Sequence, residues 1–222
     1  MMKPLEGGLV VSCQALEDEP LHGPMHMAAM AIAAKEGGAV GIRANGSADI
    51  QEIKRYVDLP VIGILKKRYP GCDAFITPTK ADAKLVAEAG ADIVSIDATN
   101  VSRPEKLEEL VHYIQEDLGK RVMADIATLE EGIHAEKIGC DFVGTTLSGY
   151  TAETKDRERP DFGLLEKLVQ QLAVPVVAEG NISLPAQAKK ALELGAFFVV
   201  VGTAITRPQL ITKKFVEGMR SS

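Results

Sequence analysis

No stretch of the chain approaches the roughly 18 uninterrupted apolar residues that a membrane-spanning helix needs, and residues 1–8 carry no apolar segment of the kind that marks a secretory signal. A cytoplasmic protein with no membrane partner is the expectation. Positive charge is not in excess either. The 25 lysines and arginines are interspersed with 31 aspartates and glutamates, and the formal charge is −6. That removes a basic face for nucleic acid and still leaves room for a local cationic pocket around an anionic metabolite. Cys13, Cys72 and Cys140 are odd in number and widely spaced, which argues against a disulfide framework or a zinc site and makes a reducing compartment the default. Cys13 and Cys140 read as core fillers. His22 and His26 stand four apart, but Gly23 and Pro24 interrupt the helix that would align them, and no glutamate follows the first, so no metal site is expected there. His112 and His134 fall within helical patterns and read as structural or exposed. Gly-x-Ser-x-Gly elbows, Gly-x-x-x-x-Gly-Lys loops and Cys-x-x-Cys pairs are all missing.

What is present is an alternation. Apolar runs at 9–13, 39–43, 61–66, 93–97, 122–125, 142–145, 176–179 and 198–201 read as strands, most of them continuous as in a parallel sheet buried on both faces. Helical spacing fills 25–37, 47–57, 80–90, 103–118, 129–139, 161–172, 184–195 and 208–219. An internal echo at 84–92, 135–141 and 191–196 ends each helix on a glycine and turns into the next strand, which is structural and carries no chemistry. With 222 residues and no linker composition, the chain 1–222 reads as a single domain. A doubly wound open sheet shares this alternation; eight units, and no Gly-x-Gly-x-x-Gly after the first strand, favour a (β/α)8 TIM barrel.

In such a barrel the informative residues stand where strands end, below the loops that ring one pocket. In order they are Gln14 after Cys13, then Arg43, Lys66, Asp97, Asp125, Thr145 with Thr146, and Glu179. Charge on a pocket floor carries a desolvation cost unless it is paired or solvated, so this ring reads as functional. The segments Val177-Ala178-Glu179-Gly180-Asn181 and Val200-Val201-Gly202-Thr203 each join a β-branched run to glycine, as in the phosphate cradle of barrel loops seven and eight. Arg207, just before the last helix, can add side-chain charge there or sit on the surface. For Lys66 two readings stand: an amine over the barrel mouth whose pKa is lowered enough to act as a base, or part of a solvated basic run with Lys67 and Arg68. Arg43 orients a sugar oxygen or phosphate, or pairs with a neighbouring carboxylate. Asp97 falls nearer a structural role and Asp125 nearer substrate hydroxyls.

Several segments carry a closer likeness: Val11-Ser12-Cys13-Gln14-Ala15-Leu16 with Glu19-Pro20-Leu21-His22, Gly41-Ile42-Arg43, Ala124-Asp125-Ile126-Ala127-Thr128-Leu129-Glu130-Glu131-Gly132, Thr145-Thr146-Leu147-Ser148-Gly149-Tyr150-Thr151 and Gly202-Thr203-Ala204-Ile205-Thr206-Arg207-Pro208. Together they resemble the bacterial N-acetylmannosamine-6-phosphate 2-epimerases over essentially the whole chain. The resemblance implies a barrel of the ribulose-phosphate-binding type. It implies interconversion of N-acetylmannosamine 6-phosphate and N-acetylglucosamine 6-phosphate in sialic-acid catabolism, with no metal or organic cofactor, by an enzyme that is a homo-oligomer, a dimer or higher. By the family pattern Lys66 and Glu179 are the catalytic pair, Gln14, Arg43 and Asp125 contact the sugar, and Gly180, Gly202 and Arg207 lie near the phosphate. Asn181 departs from it, standing where arginine is the expectation. A Schiff-base aldolase, a non-enzymatic phosphosugar sensor and a phosphoribosyl-handling barrel are the rival readings.

Overall fold

The structure, a computed structural model, describes residues 3–220. Eight parallel strands close into a barrel in sequence order: β1 Leu9–Cys13, β2 Gly41–Asn45, β3 Val61–Ile64, β4 Ile93–Asp97, β5 Arg121–Asp125, β6 Phe142–Gly144, β7 Val176–Glu179 and β8 Phe198–Val201. β8 pairs back onto β1 through Leu9↔Val199 to Val11↔Val201. Around it lie α1 Pro24–Glu36, α2 Ser47–Tyr56, α3 Lys80–Glu88, α4 Leu107–His112, α5 Leu129–Lys137, α6 Phe162–Gln171, α7 Pro185–Glu193, the short α8 Thr203–Thr206 and α9 Pro208–Arg220. The expected (β/α)8 barrel is therefore present. No helix among the described residues is long and apolar enough to cross a membrane.

Strand periodicity sorts the side chains into two cores. Outward-facing Val11, Ile42, Val94, Val122, Val143 and Val199 pack beneath the helices. Inward-facing Val10, Ile62, Ile93, Phe142, Val177 and Phe198 fill the lower barrel, and Leu5 from the N-terminal turn plugs it from below. The helix-end echo is real: Gly90, Gly139 and Gly195 all have φ near +100°, the conformation that lets a helix turn straight into a strand.

Beyond shifts of a residue or two at other ends, the larger departures from expectation each have a physical reason. β2 begins at Gly41 and runs on to Asn45, because Val40 packs against the floor of the barrel while Arg43 and Asn45 take inward positions at its mouth. Arg43 is thus a mid-strand residue and not a strand end. β3 stops at Ile64, and the backbone then pairs with its own loop: Thr77 N donates to Leu65 O (2.8 Å) and Lys67 N to Phe75 O (2.9 Å). The helix expected from 103 starts at Leu107; proline after Arg103 disfavours helical backbone there, and the Arg103 guanidinium is held by the carbonyls of Asp97 and Thr99. The last surprise is α8, four residues that read as loop from the sequence.

Candidate active site

A cavity of about 570 Å³ opens at the C-terminal mouth of the barrel. Its inner wall is a charged cluster held by four strands. Arg43 on β2 is fully buried and donates from Nη2 to Asp125 Oδ2 (2.6 Å) and from Nη1 to Asp125 Oδ1 (3.1 Å) and Glu179 Oε2 (2.8 Å). Ser95 on β4 lies 3.4 Å from the same Nη1. Thr146 Oγ1 donates to Asp125 Oδ1 (2.6 Å), so both oxygens of that carboxylate are occupied. One guanidinium bridging two carboxylates is stable in this position because every charge has a hydrogen-bonded opposite. The exception is Arg43 Nε, buried with no partner, and Oε1 of Gln14, another residue of the cavity wall, is buried and unpaired as well. Gln14 Nε2 is fixed by Ser12 Oγ (2.8 Å). A buried donor and a buried acceptor without protein partners, on two residues of the cavity wall, are the kind of groups that call for a polar ligand.

Lys66 stands on the opposite lip. The residue is exposed overall and lines the cavity, with protein around its amine. Three contacts fix the hairpin that carries it: Asn45 Oδ1 accepts from Lys66 N (2.8 Å), Thr77 Oγ1 accepts from Leu65 N (3.0 Å), and Asp97 Oδ2 accepts from Phe75 N (3.3 Å). Thr77 is buried with φ +46°, a conformation unfavourable for a β-branched residue and held by these bonds. Burial, with Arg43 and Arg207 nearby, lowers the Lys66 pKa; Glu179 and Asp125 oppose the shift. Burial, reinforced by the Asp125 charge, raises the Glu179 carboxyl to about 7 against the pull of Arg43 and Lys66. For Arg43, burial works against the charge, and Asp125 and Glu179 more than compensate, keeping it protonated. Each of the two groups is thus shifted toward its neutral form.

The other end of the cavity is built from backbone. Gly180 has φ +111°, and a Cβ there would meet Thr145 O and Thr146 O at 3.5 Å. Asn181 follows in the left-handed region at φ +57°, which asparagine tolerates better than most residues, and its Oδ1 lies 3.4 Å from Tyr150 Oη. Gly202 packs on Ser12, where a Cβ would come within 3.3 Å. It precedes α8, where its carbonyl accepts from Ile205 N (2.8 Å) and Thr206 N (3.0 Å) and so sets the start of that helix beside the cavity. Arg207 lines the same end, bound from behind by Glu19 (2.9 Å). These are the parts of an anion site.

Lys66, Glu179, Gln14, Arg43, Gly180, Gly202 and Arg207 are thus brought to one cavity. Asp125 is not among its lining residues: it is fully buried, with both oxygens taken by Arg43 and Thr146, and in this geometry it anchors Arg43. Asp97 takes the structural role expected, accepting from Thr99 N, Thr99 Oγ1 and Phe75 N. Glu131, in a segment that carried the resemblance, completes a capping box with Thr128. The histidines stay outside the site: His112 and His134 are exposed on helices, and His26 Nδ1 lies 3.0 Å from His22 O. Cys13 and Cys140 are buried, and burial pushes both thiols up to about 12. Sequence reasoning missed Arg159 and Lys214, which line the cavity from the β6–α6 loop and α9. It also missed Ser12, whose inward position on β1 the period-two pattern could have revealed.

Comparison with known proteins agrees with this geometry. The family model described as "Putative N-acetylmannosamine-6-phosphate epimerase" matches residues 27–221. A protein of Clostridioides difficile described as a putative N-acetylmannosamine-6-phosphate 2-epimerase is 54% identical over 99% of both chains. One of the same description from Caldanaerobacter subterraneus is 56% identical over 97% of this chain and 92% of its own. Among solved structures, the N-acetylmannosamine-6-phosphate 2-epimerase of Clostridium perfringens superposes with a TM-score of 0.94 at 50% identity, covering 97% of this chain and 94% of that one. A thiamine phosphate pyrophosphorylase from Pyrococcus furiosus, 20% identical with a TM-score of 0.60, shares the fold alone. The chain belongs to the N-acetylmannosamine-6-phosphate 2-epimerase family.

Proposed function

We propose that the protein interconverts N-acetylmannosamine 6-phosphate and N-acetylglucosamine 6-phosphate, in the breakdown of sialic acid, by removing the C2 proton of the open-chain sugar and delivering a proton to the other face. The observation that carries this reading is one cavity lined by Lys66, whose amine is shifted down, and by Glu179, whose carboxyl is shifted up and bound to the buried Arg43 (2.8 Å). The C2 proton lies beside a carbonyl, so its loss gives an enolate, and a positioned proton-transfer group is worth typically 10²–10⁴ in rate. Lys66 in its neutral form takes that proton. Glu179, protonated near neutrality, assists at the ring oxygen or resets Lys66. Arg43, anchored by Asp125, supplies positive charge toward the enolate oxygen, and Nε is its free donor. Gln14 Oε1 accepts from a sugar N–H or O–H. Gly180, Gly202, the start of α8 and Arg207 hold the phosphate, whose binding energy anchors the reacting carbon.

The whole chain acts as a single barrel domain and as a homo-oligomer. What supports the second point is α9, which has no buried residue and exposes Phe215 (70%) and Met219 (85%) along one side, an apolar face that a second copy of the chain would cover.

Proton NMR in D₂O with N-acetylmannosamine 6-phosphate tests the reaction. The expected result is N-acetylglucosamine 6-phosphate labelled with deuterium at C2. Bound sugar phosphate with neither product nor exchange would favour a sensor, and a lysine adduct trapped by borohydride would favour Schiff-base chemistry.

A further inference from the structure

Glu19, in the loop between β1 and α1, does not line the cavity, yet it is tied to two walls of it. Its Oε2 accepts from Leu16 N (2.7 Å) and from Arg207 Nη2 (2.9 Å), and its Oε1 accepts from Gln209 Nε2 (3.0 Å). The carboxylate is only 14% exposed. Leu16 lies two residues after Gln14, on the sugar wall; Arg207 and Gln209 bracket the junction of α8 and α9 at the phosphate end. Glu19 engages Nη2 of Arg207, and Arg207 itself lines the cavity.

We propose that Glu19 is a positioning residue for phosphate recognition: it fixes Arg207 before substrate arrives and locks the β1–α1 loop to the phosphate end of the barrel. An unanchored arginine has many rotamers to lose when it binds an oxyanion, and one already held loses few. A carboxylate so close to an anion site would repel phosphate if it stood free. Here its charge is matched by Arg207 and its lone pairs by three donors, so the pair presents donors to the ligand. The inference rests on the reading that Arg207 faces the phosphate.

A double-mutant cycle tests it, with steady-state kinetics on N-acetylmannosamine 6-phosphate. Glu19→Gln keeps the shape and removes the charge; the expected result is a KM raised about tenfold with kcat within about threefold. In an Arg207→Ala background, the same substitution should change KM less than twofold. Equal losses in both backgrounds, or a fall in kcat with KM unmoved, would overturn the proposal and leave the phosphate reading intact. An Arg207→Ala variant with wild-type KM would remove that reading, and the proposal with it. Glu19→Asp, which keeps the charge one methylene short, gives a second path if Glu19→Gln fails to fold; an intermediate KM that again vanishes beside Arg207→Ala is expected, and a rise in KM that persists in that background counts against the proposal.

Discussion

The floor and the mouth of the barrel are made from the same strands, often two residues apart, and they differ in almost every physical respect. On β5, Met123 faces the floor and Asp125 the mouth; on β7, Val177 and Glu179; on β1, Val10 and Ser12. The floor is apolar and closed by aromatic contact, with the Phe142, Phe197 and Phe198 rings 6.0–6.2 Å apart and Leu5 inserted beneath. The mouth buries one guanidinium against two carboxylates and leaves two polar atoms unpaired. Burying apolar area stabilises at about 25 cal/mol per Å² whatever its orientation, whereas a buried charge cluster gains little net stability and depends on geometry. The floor is therefore the part that folds the molecule, and the mouth is the part that the fold supports against its own electrostatic preference.

Substitutions on the two levels should separate these roles. The largest effect on turnover is expected from Lys66→Ala: kcat falls by about 10²–10⁴, with a thermal midpoint close to that of the parent, because Lys66 is on a solvent-facing lip. Turnover within tenfold of the parent would remove Lys66 from the chemistry. Phe198→Ala, on the floor, should do the reverse. Its ring is wholly buried, so truncation costs about 3–5 kcal/mol by the loss of burial and the cavity left behind, measured by urea unfolding. Below its melting range the variant should keep kcat within a few-fold. A collapse of kcat in a folded Phe198→Ala protein would mean that floor and mouth are mechanically coupled, and the contrast drawn above would fail.

The same contrast explains what could be read in the sequence. Eight apolar runs separated by helical spacing were legible because the outer core and the floor both demand β-branched or aromatic residues, and β1, β4, β7 and β8 come out with their expected limits. β2 was misplaced because its mouth-facing residues are Arg43 and Asn45, and a run judged by apolarity ends where the site begins. β3 was overextended for a different reason: Leu65–Lys67 is extended chain, but it pairs with Phe75–Thr77 and not with the barrel. Lys66, Glu179 and the two glycine loops were visible as charges or turns at the ends of apolar runs. The place of Asp125 beneath Arg43, the strain at Thr77 and the hold of Glu19 on Arg207 depend on contacts between residues far apart in the chain. No local pattern encodes them.

The finest test of the contrast is pH, because the mouth holds a carboxyl raised toward neutrality and the floor is apolar. Burial and Asp125 raise the Glu179 carboxyl to about 7, so the folded protein holds a proton there that the unfolded chain releases near about 4.3. For an acid shifted upward, the contribution to stability is full below the unfolded value and is lost as pH rises from there through the folded one. Glu179→Gln removes that loss, so the variant should change less in stability between about pH 5 and pH 8 than the parent does, by denaturant titration at each pH. Activity moves by the partner effect. The Glu179 charge holds the Lys66 pKa up against burial and Arg43; without it, Lys66 becomes neutral at lower pH. The acid limb of kcat/KM should shift downward, while kcat itself falls because the assisting acid is gone. An acid limb that stays in place in Glu179→Gln would mean that the two groups do not share a proton, and Lys66 would then have to be poised by burial and the arginines alone.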